Sequence, residues 1–438
     1  MRMHISVIGT GYLGAVHAAC MAELGYSVVG VDNDEEKIAR LAAGIPPIYE
    51  PGLEELVAKH IGTGRLRFTT SISDVADADV HFICVGTPQL ADGLGADMKY
   101  VNEALERLAP HLTRPCLVVG KSTVPVGTAE QLAQRLAELA PVGAEAELAW
   151  NPEFLRESRA IEDTLHPNRL VFGVASDRAE KVLRELHATM IADGAPVVVT
   201  DLATSELAKV SANAFLATKI SFINAIAEVA EVTGADVTRL ADAMGHDDRI
   251  GRKFLNAGVG FGGGCLPKDL RAFMARAGEL GVADALTLLG EVDAINLRQR
   301  DRVVDLTRHL AGGSVIGRRI AVLGAAFKPN SDDVRDSPAL TVAGQLHLKG
   351  AGVVVYDPRA MDNARRIFPT LTYAESVLDA CRGAHVVLHL TEWPEFRELD
   401  PAVVGDVVAS RTVLDGRNCL DDHAWRAAGW TYRGLGRP

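Results

Sequence analysis

The stretch from His4 to Asp32 constrains the fold more than any other part of the chain. His4-Ile-Ser-Val-Ile8 reads as a short buried strand; Gly9-Thr-Gly11-Tyr-Leu-Gly14 follows, then a helical run from Ala15 to Leu24, a second strand Tyr26-Ser-Val-Val-Gly-Val31, and Asp32 at its end. This is a βαβ unit with a G-x-G-x-x-G turn. The first glycine permits the tight turn, the second lets a pyrophosphate reach the backbone at the helix N-terminus, and the third lets helix and strand pack closely. A glycine triplet alone is a weak signal, but here strand, helix, second strand and terminal acid come in order. A carboxylate at Asp32 accepts hydrogen bonds from adenosine ribose hydroxyls and repels a 2′-phosphate, so the expected cofactor is NAD rather than NADP.

Further strands alternate with helices. Val80-His-Phe-Ile-Cys-Val85 leads into Gly86-Thr87-Pro88, and Cys116-Leu-Val-Val119 into Gly120-Lys-Ser-Thr123-Val-Pro. In a doubly wound sheet the ligand lies beyond the carboxyl ends of the strands, which makes Thr87 and Thr123 candidate cofactor contacts; as helix caps or turn residues they are equally accounted for. Trp150-Asn-Pro-Glu153-Phe-Leu-Arg-Glu157 sets two carboxylates four apart, on one face if the segment is helical. They are either a solvated face or an acid/base group and a cofactor contact.

From Asp201 the pattern becomes one long helix, Thr204 to about Val232, apolar on nearly every side and therefore buried within the chain or against a partner subunit. Lys209 and Asn213 lie i, i+4 on it. In such surroundings they need a polar ligand or, for Lys209, a structural salt bridge. Beyond Arg249 and Phe254 comes Gly258-Val-Gly-Phe-Gly-Gly-Gly-Cys265-Leu-Pro-Lys268-Asp269. Glycines this dense mark either a linker or a backbone that turns sharply and lets a ligand come close, and Cys265 stands where a thiolate is favoured by neighbouring Lys268.

After a helical run from Asp284 to Leu310, strands return at Arg319-Ile-Ala-Val-Leu323, Gly352-Val-Val-Val-Tyr356, Ala384 to Leu390 and Thr412-Val-Leu-Asp415. The expected fold class is α/β, with two Rossmann-like doubly wound domains joined by a long central helical region: 1–200, 201–310 and 311–438. Gly324-Ala-Ala-Phe327 lacks the second and third fingerprint glycines, so the last domain is expected to take another ligand than a dinucleotide. His385 and His389 sit in an apolar strand and read as packing residues, and no metal site is expected.

A chain of 438 residues needs more than one domain, and 48% hydrophobic content supports globular cores. The apolar runs are short and broken, and MRMHISVIGT enters a strand directly, so neither a membrane segment nor a signal peptide is expected and the protein reads as cytoplasmic. A net charge of −12 disfavours nucleic acid and anionic membranes. The cysteines at 20, 84, 116, 265, 381 and 419 have no C-x-x-C spacing; Cys20, Cys84 and Cys116 read as core, and only Cys265 has a reactive setting.

Taken together, Gly9-x-Gly11-x-x-Gly14, Val85-Gly-Thr-Pro-Gln89, Lys121-Ser-Thr-Val-Pro125, Asn151-Pro-Glu-Phe-Leu155, Lys209-x-x-x-Asn213, Gly260-Phe-Gly-Gly-Gly-Cys265-Leu-Pro-Lys-Asp269, Phe327-Lys328 and Arg335 resemble the UDP-glucose/GDP-mannose dehydrogenase family over essentially the whole chain. The resemblance implies an N-terminal NAD domain, a helical middle that forms a homodimer or higher homo-oligomer, and a C-terminal nucleotide-sugar domain. It implies UDP-glucose as substrate, oxidised twice at C6 to UDP-glucuronate, with GDP-mannose or a UDP-N-acetylhexosamine as the alternative. It assigns Cys265 as nucleophile, Lys209 and Asn213 as oxyanion donors, and Asp269, Glu153 and Thr123 to protons and the hydrolytic water. Lys37, Glu157, Lys268 and Arg335 join the NAD contacts. Phe154, Leu155, Phe254, Gly262, Phe327, Lys328 and Arg417 match substrate positions, as do Lys209 and Asn213, and Arg249 matches one supplied by the other subunit. Gly264 stands where many relatives carry Ser, and Leu266 where many carry Phe; the GDP-mannose branch shares Leu266.

Overall fold

The computed structural model describes residues 3–437. They form two compact units: the chain up to residue 212 with 271–280, and 213–270 with 281 onward. The helical middle expected as a third part is thus shared between the two.

The first unit is built on eight strands: β1 (His4–Ile8), β2 (Ser27–Val31), β3 (Leu66–Thr69), β4 (Val80–Ile83), β5 (Cys116–Gly120), β6 (Ala146–Trp150), β7 (Leu170–Gly173) and β8 (Val197–Thr200). Their order is β3-β2-β1-β4-β5-β6-β7-β8, and only the β6–β7 pair is antiparallel. The order reverses between β1 and β4, which places the cofactor crevice at their carboxyl ends. Because side chains alternate along a strand, β5 sends Leu117 and Val119 into one core and Cys116 and Val118 into the other. The helix Tyr12–Glu23 lies tight on the sheet through Gly14, where a Cβ would come 1.8 Å from the Gly9 carbonyl oxygen.

The second unit holds β9 (Arg319–Leu323), β10 (Gly352–Tyr356), β11 (Thr372–Tyr373), β12 (Val386–His389), β13 (Thr412–Asp415) and β14 (Thr431–Gly434), all parallel in the order β11-β10-β9-β12-β13-β14. This is a second Rossmann-type sheet, as the sequence indicated, and the acid that ends its second strand is already engaged. Asp357, the counterpart of Asp32, is 1% exposed, and its Oδ2 accepts the N–H groups of Ala325 and Ala326 and the Trp393 indole N–H at 2.8, 3.0 and 3.0 Å. The chain's own donors fill the place a ribose would take.

His389 is fully buried and donates Nδ1–H to Asp415 Oδ1 at 2.8 Å. His389, Asp415 and Cys419 present potential ligand atoms within 4.8 Å of one another. Asp415 also accepts the N–H groups of Arg417 and Leu420 and the Tyr432 hydroxyl, so its lone pairs are taken and the cluster is a hydrogen-bond hub.

Residues 151–156 form no helix, so the condition on which Glu153 and Glu157 would share a face is not met. Pro152 drives Asn151 out of the helical region, and the Glu153 carboxylate accepts the Leu155 N–H at 2.5 Å, closing a turn instead. The long helix, Leu202–Thr233, has the length and apolar content of a membrane span, as core helices of soluble proteins also can. Burial within the chain covers one of its faces, where Ile223, Ala227 and Ala230 meet a small core with Val237, Ala241 and Leu255, while Phe215, Phe222 and Val229, seven residues apart, are 65, 46 and 55% exposed.

Candidate active site

In the first unit, Gly11 is the N-cap of the Tyr12–Glu23 helix and offers no side-chain cap, and a Cβ built on it meets nothing within 4 Å. The helix therefore presents uncapped N–H groups beside open space, a setting that fits a pyrophosphate. At the end of β2, Asp32 Oδ2 accepts the Thr10 N–H at 2.8 Å and the Lys37 ammonium at 3.0 Å, while among the described residues Oδ1 accepts only the Asp34 N–H at 3.2 Å and keeps acceptor capacity for a ribose hydroxyl. Burial pulls the Asp32 carboxyl upward, but Lys37 and the Thr10 N–H outweigh it and hold it below its ordinary value. Thr87 donates its hydroxyl to the Thr123 carbonyl at 2.8 Å, joining the loops after β4 and β5.

Beyond β6, Glu153 Oε1 pairs with Lys209 Nζ at 2.9 Å, and both side chains are largely buried. Lys209 therefore has the salt bridge that its apolar helix demanded, with a carboxylate the resemblance places in the site. The loop carrying Glu153, Phe154 and Leu155 is fixed from behind. Lys121 Nζ donates to Asn151 Oδ1 at 2.9 Å, Asn151 Nδ2 donates to the Val171 carbonyl at 2.9 Å, and the Arg169 guanidinium stacks 3.6 Å from the Phe154 ring centroid. Lys121 is fully enclosed, and burial lowers the pKa of its ammonium. Lys121, Asn151, Glu153, Phe154, Leu155 and Arg169 line a cleft of about 50 Å³. Glu157 lies half-buried just beyond this loop.

In the second unit, Cys265 is exposed directly before the helix Leu266–Glu279, and its carbonyl accepts the Asp269 N–H at 2.9 Å. A thiol at a helix N-terminus sits against the positive end of the peptide dipoles, which favours the thiolate. One turn on, buried Asp269 accepts the Asn213 amide on Oδ2 at 2.7 Å and the Lys268 ammonium on Oδ1 at 2.5 Å. Cys20, Cys84 and Cys381 are buried, and burial pushes each thiol up to about 12. Cys116 is pushed to about 11 by the same cause. Burial likewise pushes half-buried Cys419 up to about 12, and Cys265 is the exposed one of the six.

The glycines ahead of Cys265 are required by close approach. A Cβ on Gly262 would lie 2.2 Å from the Asp336 carbonyl oxygen, and one on Gly264 would lie 2.2 Å from the Arg335 guanidinium carbon. The departure from Ser at 264 leaves room for Arg335, which also pairs with Asp333 at 2.6 Å. Arg417 ties this region together, donating to the carbonyls of Leu390, Gly260 and Phe327 at 2.8, 3.1 and 3.3 Å. Lys328 Nζ stands 5.6 Å from the Phe327 ring centroid. Arg249 extends into solvent from a fork on Asp247 at 2.6 Å, and Phe254 adopts a left-handed φ of 65°.

Sequence reasoning did not single out Lys121, Asn151, Arg169 or Glu206 as groups that shape the site. Lys121 and Asn151 stood inside motifs already quoted, whereas Arg169 and Glu206 carried no local signal.

Three domain models of one family match the chain: the NAD binding domain of the UDP-glucose/GDP-mannose dehydrogenase family at residues 3–191, its central domain at 203–298 and its UDP binding domain at 321–422. The chain belongs to this family. NAD is accordingly its cofactor, and the Gly11 and Asp32 features described above suit it. The chain is 42% identical to a UDP-glucose 6-dehydrogenase of Rhizobium meliloti (strain 1021) over 439 residues, covering 100% of both. It is similar in structure, with a TM-score of 0.92 and 39% identity, to a UDP-glucose dehydrogenase from the hyperthermophilic archaeon Pyrobaculum islandicum, covering 100% of this chain and 98% of that one. A UDP-D-ManNAc dehydrogenase from Pyrococcus horikoshii gives a TM-score of 0.87 at 27% identity, covering 99% of both chains.

Proposed function

We propose that the protein oxidises UDP-glucose to UDP-glucuronate in two steps at C6, with Cys265 as the covalent carrier between them. The observation that carries this reading is the exposed thiol at a helix N-terminus with the Asp269–Asn213 pair one turn away. NAD, when bound, supplies the hydride acceptor for each of the two oxidations.

The chain's own groups do the rest. Glu153, paired with Lys209, takes the C6 hydroxyl proton while Lys209 steadies the growing alkoxide. Loss of hydride from C6 leaves an aldehyde, which has no alkoxide from which a second hydride can be expelled. Attack of the Cys265 thiolate on the aldehyde carbon makes a C–S bond and restores one as a thiohemiacetal. Asn213 has a second amide hydrogen beyond the one given to Asp269 and donates it to this oxygen, a contribution of about 3 kcal/mol for a donor of this kind. Loss of the second hydride gives a thioester. Water held near Thr123, with Asp269 taking its proton, adds to the acyl carbon; the C–S bond breaks, the thiolate is regenerated and the carboxylate leaves.

Phe154, Leu155, Phe254, Gly262, Phe327, Lys328 and Arg417 are assigned to the sugar nucleotide, and Glu157, Lys268 and Arg335 to NAD. Arg417 acts by shaping the loops it ties as well as by its charge. The exposed Phe215–Phe222–Val229 stripe is assigned to a homodimer, whose second copy supplies Arg249. Reduced cysteines and the two metabolites fit a cytoplasmic enzyme.

Incubation with UDP-glucose and NAD should yield two NADH per sugar. One NADH with an accumulating aldehyde, or preferential turnover of GDP-mannose or a UDP-N-acetylhexosamine, would overturn the assignment.

A further inference from the structure

Glu206 lies on the same helix as Lys209, three residues before it, and takes no part in the steps above. It is 1% exposed and reaches the loop after β5: Oε2 accepts the Gly127 N–H at 2.7 Å and Oε1 the Ala129 N–H at 2.6 Å. The helix Thr128–Leu139 begins there, and its N-cap, Gly127, has no side chain with which to cap it. Two N–H groups that a helix start leaves without partners are therefore satisfied by a carboxylate from another helix. Upstream, the loop is held by Lys121 on Asn151 and by Thr87 on the Thr123 carbonyl. Glu206 is the downstream anchor of the Thr123 loop, and it fixes that loop to the helix bearing Lys209.

Resting on the proposed reaction, we infer that Glu206 is a positioning residue that holds the Thr123 loop against the Lys209 helix, so that its loss lowers kcat although it touches neither substrate nor cofactor. Two strong acceptors exist only in the carboxylate; a protonated group turns one oxygen into a donor facing an N–H. The charged groups facing it are Glu130 on the capped helix and Arg276, which donates Nε–H to the Val126 carbonyl at 2.9 Å. Burial pushes the Glu206 carboxyl up to about 7, the two N–H bonds and Arg276 opposing and Glu130 assisting.

The test compares the parent with Glu206→Gln at pH 8, recording kcat and KM with UDP-glucose and NAD and, separately, amide hydrogen exchange over residues 121–129 in the protein alone. The variant should exchange faster over this loop and lose about tenfold in kcat with KM little changed, the scale of a small misplacement near the chemistry. Glu206→Asp, one methylene shorter, keeps the charge but not the reach and should behave like Gln, which separates positioning from charge alone. Parent-level protection or parent-level kcat in Glu206→Gln overturns the inference. A parent that turns over no nucleotide sugar, with a loop that loosens in Glu206→Gln, overturns the proposed reaction instead, leaving the anchor in place.

Discussion

At the scale of single residues, the thiol and its partners set sharp expectations. Replacing Cys265 by Ser puts a poor nucleophile and leaving group where a thiolate stood. The first oxidation should survive and the second should slow by orders of magnitude, read as about one NADH per sugar in single-turnover assays; two NADH at the parent rate would refute the covalent carrier. Asp269→Asn sets an amide against the Asn213 amide and removes the counter-charge of Lys268. It should lower kcat by roughly 10²-fold or more while circular dichroism stays unchanged, a range usual for proton-transfer groups. Asp32→Ala leaves Lys37 without its carboxylate and removes the ribose acceptor. KM for NAD should rise about tenfold and discrimination against NADP should fall, measured with both cofactors.

At the scale of elements, the glycine-rich approach to Cys265 separates tolerated change from forbidden change. Gly262→Ala would press a methyl on the Asp336 carbonyl and the Pro338 ring, neither of which can swing aside, so a loss of about 1–3 kcal/mol in stability is expected from denaturant melts. Gly264→Ser meets only the end of a flexible arginine, which can swing away, and should cost less. Side by side, these variants show whether backbone contact or a movable side chain sets the limit. The long helix carries a different expectation. Phe222→Glu places a charge in the exposed apolar stripe and should shift the protein toward monomer in light-scattering chromatography. An unchanged mass would remove that stripe as the contact between copies.

At the scale of the whole molecule, stability should depend on pH differently in the two units. His17 is held well below its ordinary pKa by burial, reinforced by Lys121, and burial lowers His187 to about 3. Both belong to the first unit, and unfolding lets each bind a proton from about pH 6.5 downward. Their contribution is therefore complete above that pH and is lost on acidification, by about 1.4 kcal/mol per pH unit for each histidine. Glu206, raised to about 7, works in the opposite sense: its contribution is present below about pH 4.5 and is lost as pH climbs toward 7. In the second unit burial pulls Asp415 upward, but His389 and the backbone N–H groups outweigh it and hold it at about 2, so its contribution disappears only between about pH 4 and 2. Thermal melts from pH 8 to 4 should weaken the first unit earlier, and His17→Leu should flatten that decline. Equal acid sensitivity of both transitions would contradict this account.

The two Rossmann sheets, the NAD fingerprint and the long helix that carries both Lys209 and Asn213 could be read from the sequence because each rests on neighbours in the chain: period-two strands, a glycine turn, a sustained apolar helical run. The setting of Glu153 and Glu157 stayed open because a four-residue spacing means a shared face only in a helix, and whether 151–157 is helical was decided by the turn that Glu153 closes on the Leu155 N–H. Glu206 capping a helix some eighty residues away, Asp357 taking up the N–H groups of Ala325 and Ala326, and Arg335 filling the space at Gly264 belong to the tertiary structure alone. Local order determines which chemistry a residue can offer; only packing decides which donor, acceptor or wall stands opposite it, because those partners come from distant parts of the chain.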